Sequence, residues 1–208
     1  MKLLVVYATT DGTTARIAER IEEAARAAGA DADVLEAAAL PKGFAPSRYD
    51  AILVGASMHA QGYQRAAKRF VLRHADVLRT RPSGFFSVCL SILSTNLGER
   101  AESRRIAEEF PAKLGWTPDV VEVFAGALMF SRYGFFRRLA MKVIAKKEMG
   151  SVDATRDTVF TNWEDVDRFA RDFVARPSRR AAAWPPPVTA HRMRGGATSA
   201  AERGSRSQ

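Results

Sequence analysis

Short runs of β-branched and apolar residues recur along this chain, and most of the gaps between them carry a helical period. The runs are "KLLVVY" (residues 2–7), "ADVLEA" (32–37), "AILVGA" (51–56), "GFFSVCLSI" (84–92) and "DVVEVFAGAL" (119–128). Most are apolar at consecutive positions, so each strand needs cover on both faces. Helical periods follow at 13–28, with Ile17, Ile21, Ala24, Ala25 and Ala28 on one face and a stop at Gly29. Others span 64–78 (Ala67, Phe70, Val71 and Leu78 inward), roughly 99–114, and 163–174. Strands that alternate with helices and are apolar on two faces predict the α/β class, a parallel sheet between two helical layers.

Two segments depart from this alternation. Residues 129–150 are far longer than the usual βα loop of about 2–6 residues. From residue 175 onward the chain is rich in Arg, Pro, Ala, Ser and Gly without apolar periodicity, the composition of a disordered tail. The expected organisation is one body over 1–174, with an insert at 129–150, and a tail over 175–208. Seven arginines against the single acid Glu202 give that tail +6 of the formal net charge of +9, leaving the body mildly basic.

Several classes are excluded. One cysteine, Cys89, rules out an internal disulfide framework, and three scattered histidines lack metal-ligand spacing. "KLLVVYA" is too short for a signal-peptide core, and no window approaches the roughly 20 apolar residues of a membrane span. A cytoplasmic protein able to touch a membrane surface is expected.

The loop after the first strand is "TTDGTT", Thr9 to Thr14. In an open parallel sheet, ligands bind beyond the carboxyl ends of strands where strand order reverses, and the first βα loop is the usual place. Gly12 permits a tight turn, the hydroxyls of Thr9, Thr10, Thr13 and Thr14 add donors, and the helix start adds N–H groups. Together these make a nest for a phosphate. Capping of the helix by Asp11 or Thr13 is the alternative use of the same residues. The loop lacks both GxxxxGK[ST] and GxGxxG, which excludes a Walker site and argues against a dinucleotide loop.

Hydroxyl-x-x-Gly-x-Thr after a first strand resembles the FMN phosphate loop of flavodoxins, with Asp11 standing where many flavodoxins have threonine. The set "TTDGTT", "VGASMHAQGY", "GFFSVCLS", "FAGALMFSRYGFFRRLAMKVIAKKEMG" and "TNWEDVDRFA" resembles, more narrowly, the bacterial quinone-dependent protoporphyrinogen oxidases, over about residues 2–174. The resemblance implies a flavodoxin-like three-layer sandwich, its five-stranded sheet ordered 2-1-3-4-5, with an extra helical insert after strand 5. It implies FMN, with phosphate on Thr9, Thr10, Asp11 (backbone), Gly12, Thr13 and Thr14. The flavin ring would lie between Ser57, Met58, His59 and Gly62 on one side and Cys89, Leu90 and Ser91 on the other. His59 and Tyr63 are the aromatic side chains offered for stacking, and "CLSILSTN" offers none. His59 is the candidate base.

The insert carries six basic residues and no acid between 131 and 147, with Phe135, Phe136, Leu139, Ala140, Val143 and Ile144 on one helical face. A basic amphipathic helix fits an interface with anionic lipid. The resemblance assigns Arg132, Tyr133, Arg137 and Arg138 to propionates or lipid head groups, and Phe135 and Phe136 to macrocycle or quinone. The implied reaction is oxidation of protoporphyrinogen IX to protoporphyrin IX in haem biosynthesis, with electrons passed to menaquinone or ubiquinone at the inner-membrane surface. A flavodoxin-type electron carrier and an NAD(P)H:quinone reductase are the alternatives. Homo-oligomerisation is compatible with the chain. The Arg-rich tail has one aromatic, Trp184, and its charges are interleaved with Pro and Gly, so no nucleic-acid partner is expected.

Overall fold

The computed structural model describes residues 1–59, 62–128 and 157–176. Strands β1 (Lys2–Ala8), β2 (Asp31–Glu36), β3 (Ala51–Ser57), β4 (Ser83–Cys89) and β5 (Val120–Ala125) form one sheet in the order β2-β1-β3-β4-β5. Every neighbouring pair is parallel. The expected class and strand order are therefore met.

Consecutive apolar residues in the strands serve opposite faces. Leu3, Val5, Leu53 and Phe86 join Ile17 and Ile21 of α1 (Thr13–Ala27) and Val166, Phe169 and Phe173 of the last helix. Leu4, Val6, Ile52, Val54 and Phe85 face the other way. They meet Ala67, Phe70 and Val71 of α2 (Arg65–Arg73), Leu78 of α3 (Ala75–Thr80), and Ala107 of α4 (Leu97–Lys113). The last helix, α5, is Trp163–Ala175. Its Asp167 accepts two bonds from the Arg20 guanidinium of α1, at 2.6 and 2.7 Å.

Three elements depart from the sequence expectation. The helix expected over 64–78 is two helices, because the chain turns at His74 (φ −119°), whose ring packs against Phe70 and Phe44. The fourth run leaves the sheet at Cys89 and becomes a 3-10 turn, Ser91–Leu93, with the Ser91 hydroxyl bonded to Ser103 of α4. The fifth run breaks at Gly126. Its N–H donates to the Cys89 carbonyl at 3.3 Å, and β6 (Ala127–Leu128) then pairs antiparallel with β7 (Thr158–Val159).

The insert at 129–150 lies outside the described residues, as do its candidates Arg132, Tyr133, Phe135, Phe136, Arg137 and Arg138 and the tail from 177 onward. The described residues resume at 157. The chain leaves at Leu128 and is back at Thr158, paired with it, beyond the carboxyl end of β5.

Two consequences can be measured. Gly55 lies opposite Phe86 in the β3–β4 register, and a Cβ there would come within 2.0 Å of the Phe86 ring. Gly55→Ala should cost about 1–3 kcal/mol in denaturant unfolding, as over-packing does. The Arg20 guanidinium holds the Asp167 carboxyl below its ordinary value. The stability from this pair is therefore complete above the unfolded carboxyl pKa of about 4 and is lost as pH falls through the lower folded value. Asp167→Asn should lower the melting temperature at neutral pH, and the gap to the wild type should close in acid.

Candidate functional site

β1 pairs with β2 on one side and β3 on the other, so the loops leaving β1 and β3 diverge and open a crevice at their carboxyl ends. The first loop is 9–14. Gly12 sits at φ 88°, a left-handed conformation that L side chains rarely adopt, and its N–H donates to Thr9 Oγ1 at 2.9 Å. The loop thereby curls over the start of α1.

That helix start differs from those of the other helices longer than three turns. α4 is capped by Asn96, whose Oδ1 accepts from Gly98 N–H at 2.8 Å, and has Glu99 in its first turn. α5 is capped by Asn162, accepting from Glu164 N–H at 3.1 Å, and has Glu164 and Asp165 in its first turn. α1 has Gly12 at its N-cap, no side-chain cap and no acid in its first turn. The N-cap position itself is taken by Gly12, not by Asp11 or Thr13. The fold leaves the positive end of the helix dipole exposed to whatever enters the crevice.

The hydroxyls tell the same story. Thr13 is buried and Thr14 is fully buried, yet Thr14 Oγ1 has no hydrogen-bond partner. Leaving a buried hydroxyl unsatisfied costs about 1–3 kcal/mol, so its retention points to a partner that arrives with a ligand. An oxyanion with several acceptor oxygens fits a cradle of hydroxyl and N–H donors. These residues fit a phosphate group.

The second loop leaves β3 at Ser57. His59 and Gly62 close a tight turn through reciprocal backbone bonds of 2.9 and 3.0 Å. Met58 N–H donates to the Val88 carbonyl, tying this loop to β4. The His59 ring is at the surface, with Nε2 3.2 Å from Ser57 Oγ. Tyr63, one of the two aromatics expected to offer a stacking face, is turned away. Its ring packs on Phe85 and Phe110, its hydroxyl donates to Ser87, and burial pushes its phenol pKa up. Among the described residues of these loops, His59 is the flat side chain left at the crevice.

Gln64 is a site residue that the sequence did not announce. Read as the first residue of a helix, it is instead the N-cap of α2 in an extended conformation (ψ 143°). Its side chain turns back across the crevice. Nε2 donates to Thr10 Oγ1 at 3.0 Å and to Ser57 Oγ. A continuous chain, Thr10–Gln64–Ser57–His59, thus ties the first loop to the second. The buried Gln64 Oε1 has no protein partner. A hydroxyl before the first helix and another at the end of β3 were the available signals, but nothing in their spacing names the bridging group.

The third loop follows β4. The Cys89 side chain is buried in the α2–α4 core and its carbonyl accepts from Gly126, so this residue anchors the loop to the sheet. Leu90 is half-buried, and the Ser91 hydroxyl is taken up by Ser103 at 2.7 Å. The three loops follow adjacent strands and so stand side by side at one edge of the sheet. Among the described residues no cluster of ligating side chains could hold a metal, and no helix is long and apolar enough to cross a membrane.

Comparison with known proteins agrees with this geometry. The flavodoxin domain family model matches residues 4–155. The protoporphyrinogen IX dehydrogenase [quinone] of Escherichia coli (strain K12) is 33% identical over 83% of this chain and 94% of its own. The protein of that name from Leishmania major is 35% identical over 85% of this chain and 76% of its own. The solved flavodoxin 1 of Bacillus cereus overlaps 86% of this chain and 100% of its own at 16% identity, with a TM-score of 0.49. The chain belongs to the flavodoxin-domain family and, within it, to the protoporphyrinogen IX dehydrogenase [quinone] group.

Proposed function

We propose that this chain binds FMN at the carboxyl end of β1 and oxidises protoporphyrinogen IX to protoporphyrin IX, with a membrane quinone, menaquinone or ubiquinone, as acceptor. Protoporphyrin IX is the precursor into which iron is inserted to make haem, so the enzyme would act late in that synthesis. The reaction comes from the family to which the chain belongs. The observation that carries the cofactor is the start of α1: a left-handed glycine at the N-cap, no acid in the first turn, and the Thr14 hydroxyl buried and unmatched.

A phosphate dianion would satisfy these groups together. Thr9, Thr10, Thr13 and Thr14 would supply hydroxyls, and Asp11 and Gly12 would contribute backbone N–H groups, with no cationic side chain in the loop. Ser57, Met58, His59 and Gly62 would flank one side of the ring, and Cys89, Leu90 and Ser91 the other, through backbone more than side chain. Bound FMN supplies a two-electron acceptor that a quinone can reoxidise. The remaining tasks fall to this chain's own groups. Gln64 holds the two loops at a set spacing, which is the positioning that catalysis needs. His59, held by Ser57 at the rim, would be the candidate to accept a proton from the substrate.

The insert would complete the substrate side. Arg132, Tyr133, Arg137 and Arg138 would seat propionates or lipid head groups, and Phe135 and Phe136 would face macrocycle or quinone. Support for this is positional: Leu128, just before the insert, pairs with Thr158, further along the chain, beyond the carboxyl end of β5, on the edge that carries the crevice. A peripheral attachment to the inner membrane follows from the same reading.

Freshly purified protein should be yellow and release FMN on denaturation. With protoporphyrinogen and a menaquinone or ubiquinone analogue under anaerobic conditions it should form protoporphyrin, whereas NADPH should not reduce it. Turnover of NADPH with quinone, or no porphyrin formed, would overturn the assignment. Thr14→Val tests the cofactor site by a second route. It should weaken FMN binding by roughly tenfold to a hundredfold, the value of one hydrogen bond to a charged group. The cofactor-free variant should melt at or above the wild-type temperature, because an unmatched buried hydroxyl is removed. A variant that binds FMN normally would place the phosphate elsewhere.

A further inference from the structure

The outward face of α2 is basic in a way the other helices are not. "RAAKRFVLR" contains Arg65, Lys68, Arg69 and Arg73 and no acid. Ala67, Phe70 and Val71 pack into the core, and at 100° per residue the four cations fall on the opposite side. Many of the cations on the other helices are matched by acids. Arg20 pairs with Asp167 and Glu23, Arg26 with Glu22, Arg105 with Glu102 and Glu109, Lys113 with Glu109, and Arg168 with Asp165. Even the short α3 pairs Arg79 with Asp76. Among the described residues none of the four α2 cations has an ion-pair partner.

Leu72 stands in the middle of this face, one turn beyond Lys68 and Arg69, and is 54% exposed. A leucine among unmatched cations adds nothing toward a phosphodiester backbone. It suits a bilayer surface, where cations meet head-group phosphates and an apolar group reaches the acyl boundary. The face also has a defined relation to the crevice. α2 begins at Gln64, which bonds to Thr10 of the first loop, so a surface lying on α2 is within about two helical turns of the site.

We propose that the outward face of α2, formed by Arg65, Lys68, Arg69, Leu72 and Arg73, docks the protein on an anionic lipid surface and sets the crevice at the membrane boundary. The choice of lipid rests on the quinone reading of the acceptor, since a lipid-soluble acceptor is met at that surface. The charge imbalance of the helix stands independently of it. Docking here is separate from the insert: it uses a helix on the α2–α4 face of the sheet.

The test is co-sedimentation of the full-length, FMN-loaded protein with phosphatidylcholine vesicles, with and without phosphatidylglycerol, at low and high salt. Wild type should bind the anionic vesicles and release with salt. Lys68→Glu/Arg69→Glu should lower that binding about tenfold or more, given the worth of each cation near such a surface. Leu72→Ser keeps every charge. It should lower vesicle binding severalfold and leave retention on heparin or duplex DNA unchanged. Flavin content, melting temperature and turnover with a water-soluble short-chain quinone should match wild type in all variants. Equal binding of neutral and anionic vesicles, or undiminished binding by the charge-reversal variant, overturns the proposal. So does a Leu72→Ser variant that binds vesicles like wild type while charge reversal abolishes DNA and vesicle binding alike, which would make the face a general polyanion site. A wild type inactive with protoporphyrinogen and the soluble quinone would overturn the reaction assigned above, and the vesicle comparison would still decide the docking face.

Discussion

The position of β1 governs this molecule. It is bonded along its length to β2 on one side and β3 on the other, and it lies between two helical layers. With both ladders occupied and both faces covered, its carboxyl end is the place where the chain can be open without exposing sheet edge. The loops from β1 and β3 part there, and the crevice is what their divergence leaves. The Thr10–Gln64–Ser57 bonds span that gap and hold it at a fixed width.

Polar groups are distributed around this opening with a bias. The starts of α4 and α5 are finished within the protein, by Asn96 with Glu99 in the first turn and by Asn162 with Glu164 and Asp165. The start of α1 has Gly12 at its N-cap and no first-turn acid, and Thr14 contributes a hydroxyl with no protein partner. An uncompensated buried donor is otherwise lost stability, which is what points to a ligand at the start of α1. Charge shows a similar bias. Ion pairs knit α1 to α5 and run along α4, whereas among the described residues the cations of α2 have no ion-pair partner.

Much of this was legible in the residues, for definite reasons. Runs such as "LLVV" and "AILV" bury consecutive side chains on opposite faces, so a two-sided parallel sheet could be read before any coordinates. The threonines around Gly12 marked the loop because hydroxyl donors, a left-handed turn and a helix start coincide in six residues. What could not be read were local events decided by partners distant in sequence. His74 splits an apparently continuous helix because Phe44, thirty residues earlier, packs on its ring. Gly126 ends β5 early, its N–H turned to the Cys89 carbonyl. Tyr63 lay beside His59 in the sequence, but Phe85 and Phe110 draw it into the core.

By itself, then, the order of residues determined the class of fold, the five parallel strands of the main sheet and the threonine-rich loop after the first of them, because hydrophobic period and turn chemistry are local properties. Tertiary structure alone decided that Thr14 is buried without a partner, that Gln64 bridges two loops, and that among the described residues the cations of α2 have no ion-pair partner. Each of these depends on which groups meet across the sheet, and a hydrogen bond or ion pair exists only once both of its ends have been brought within about 3 Å.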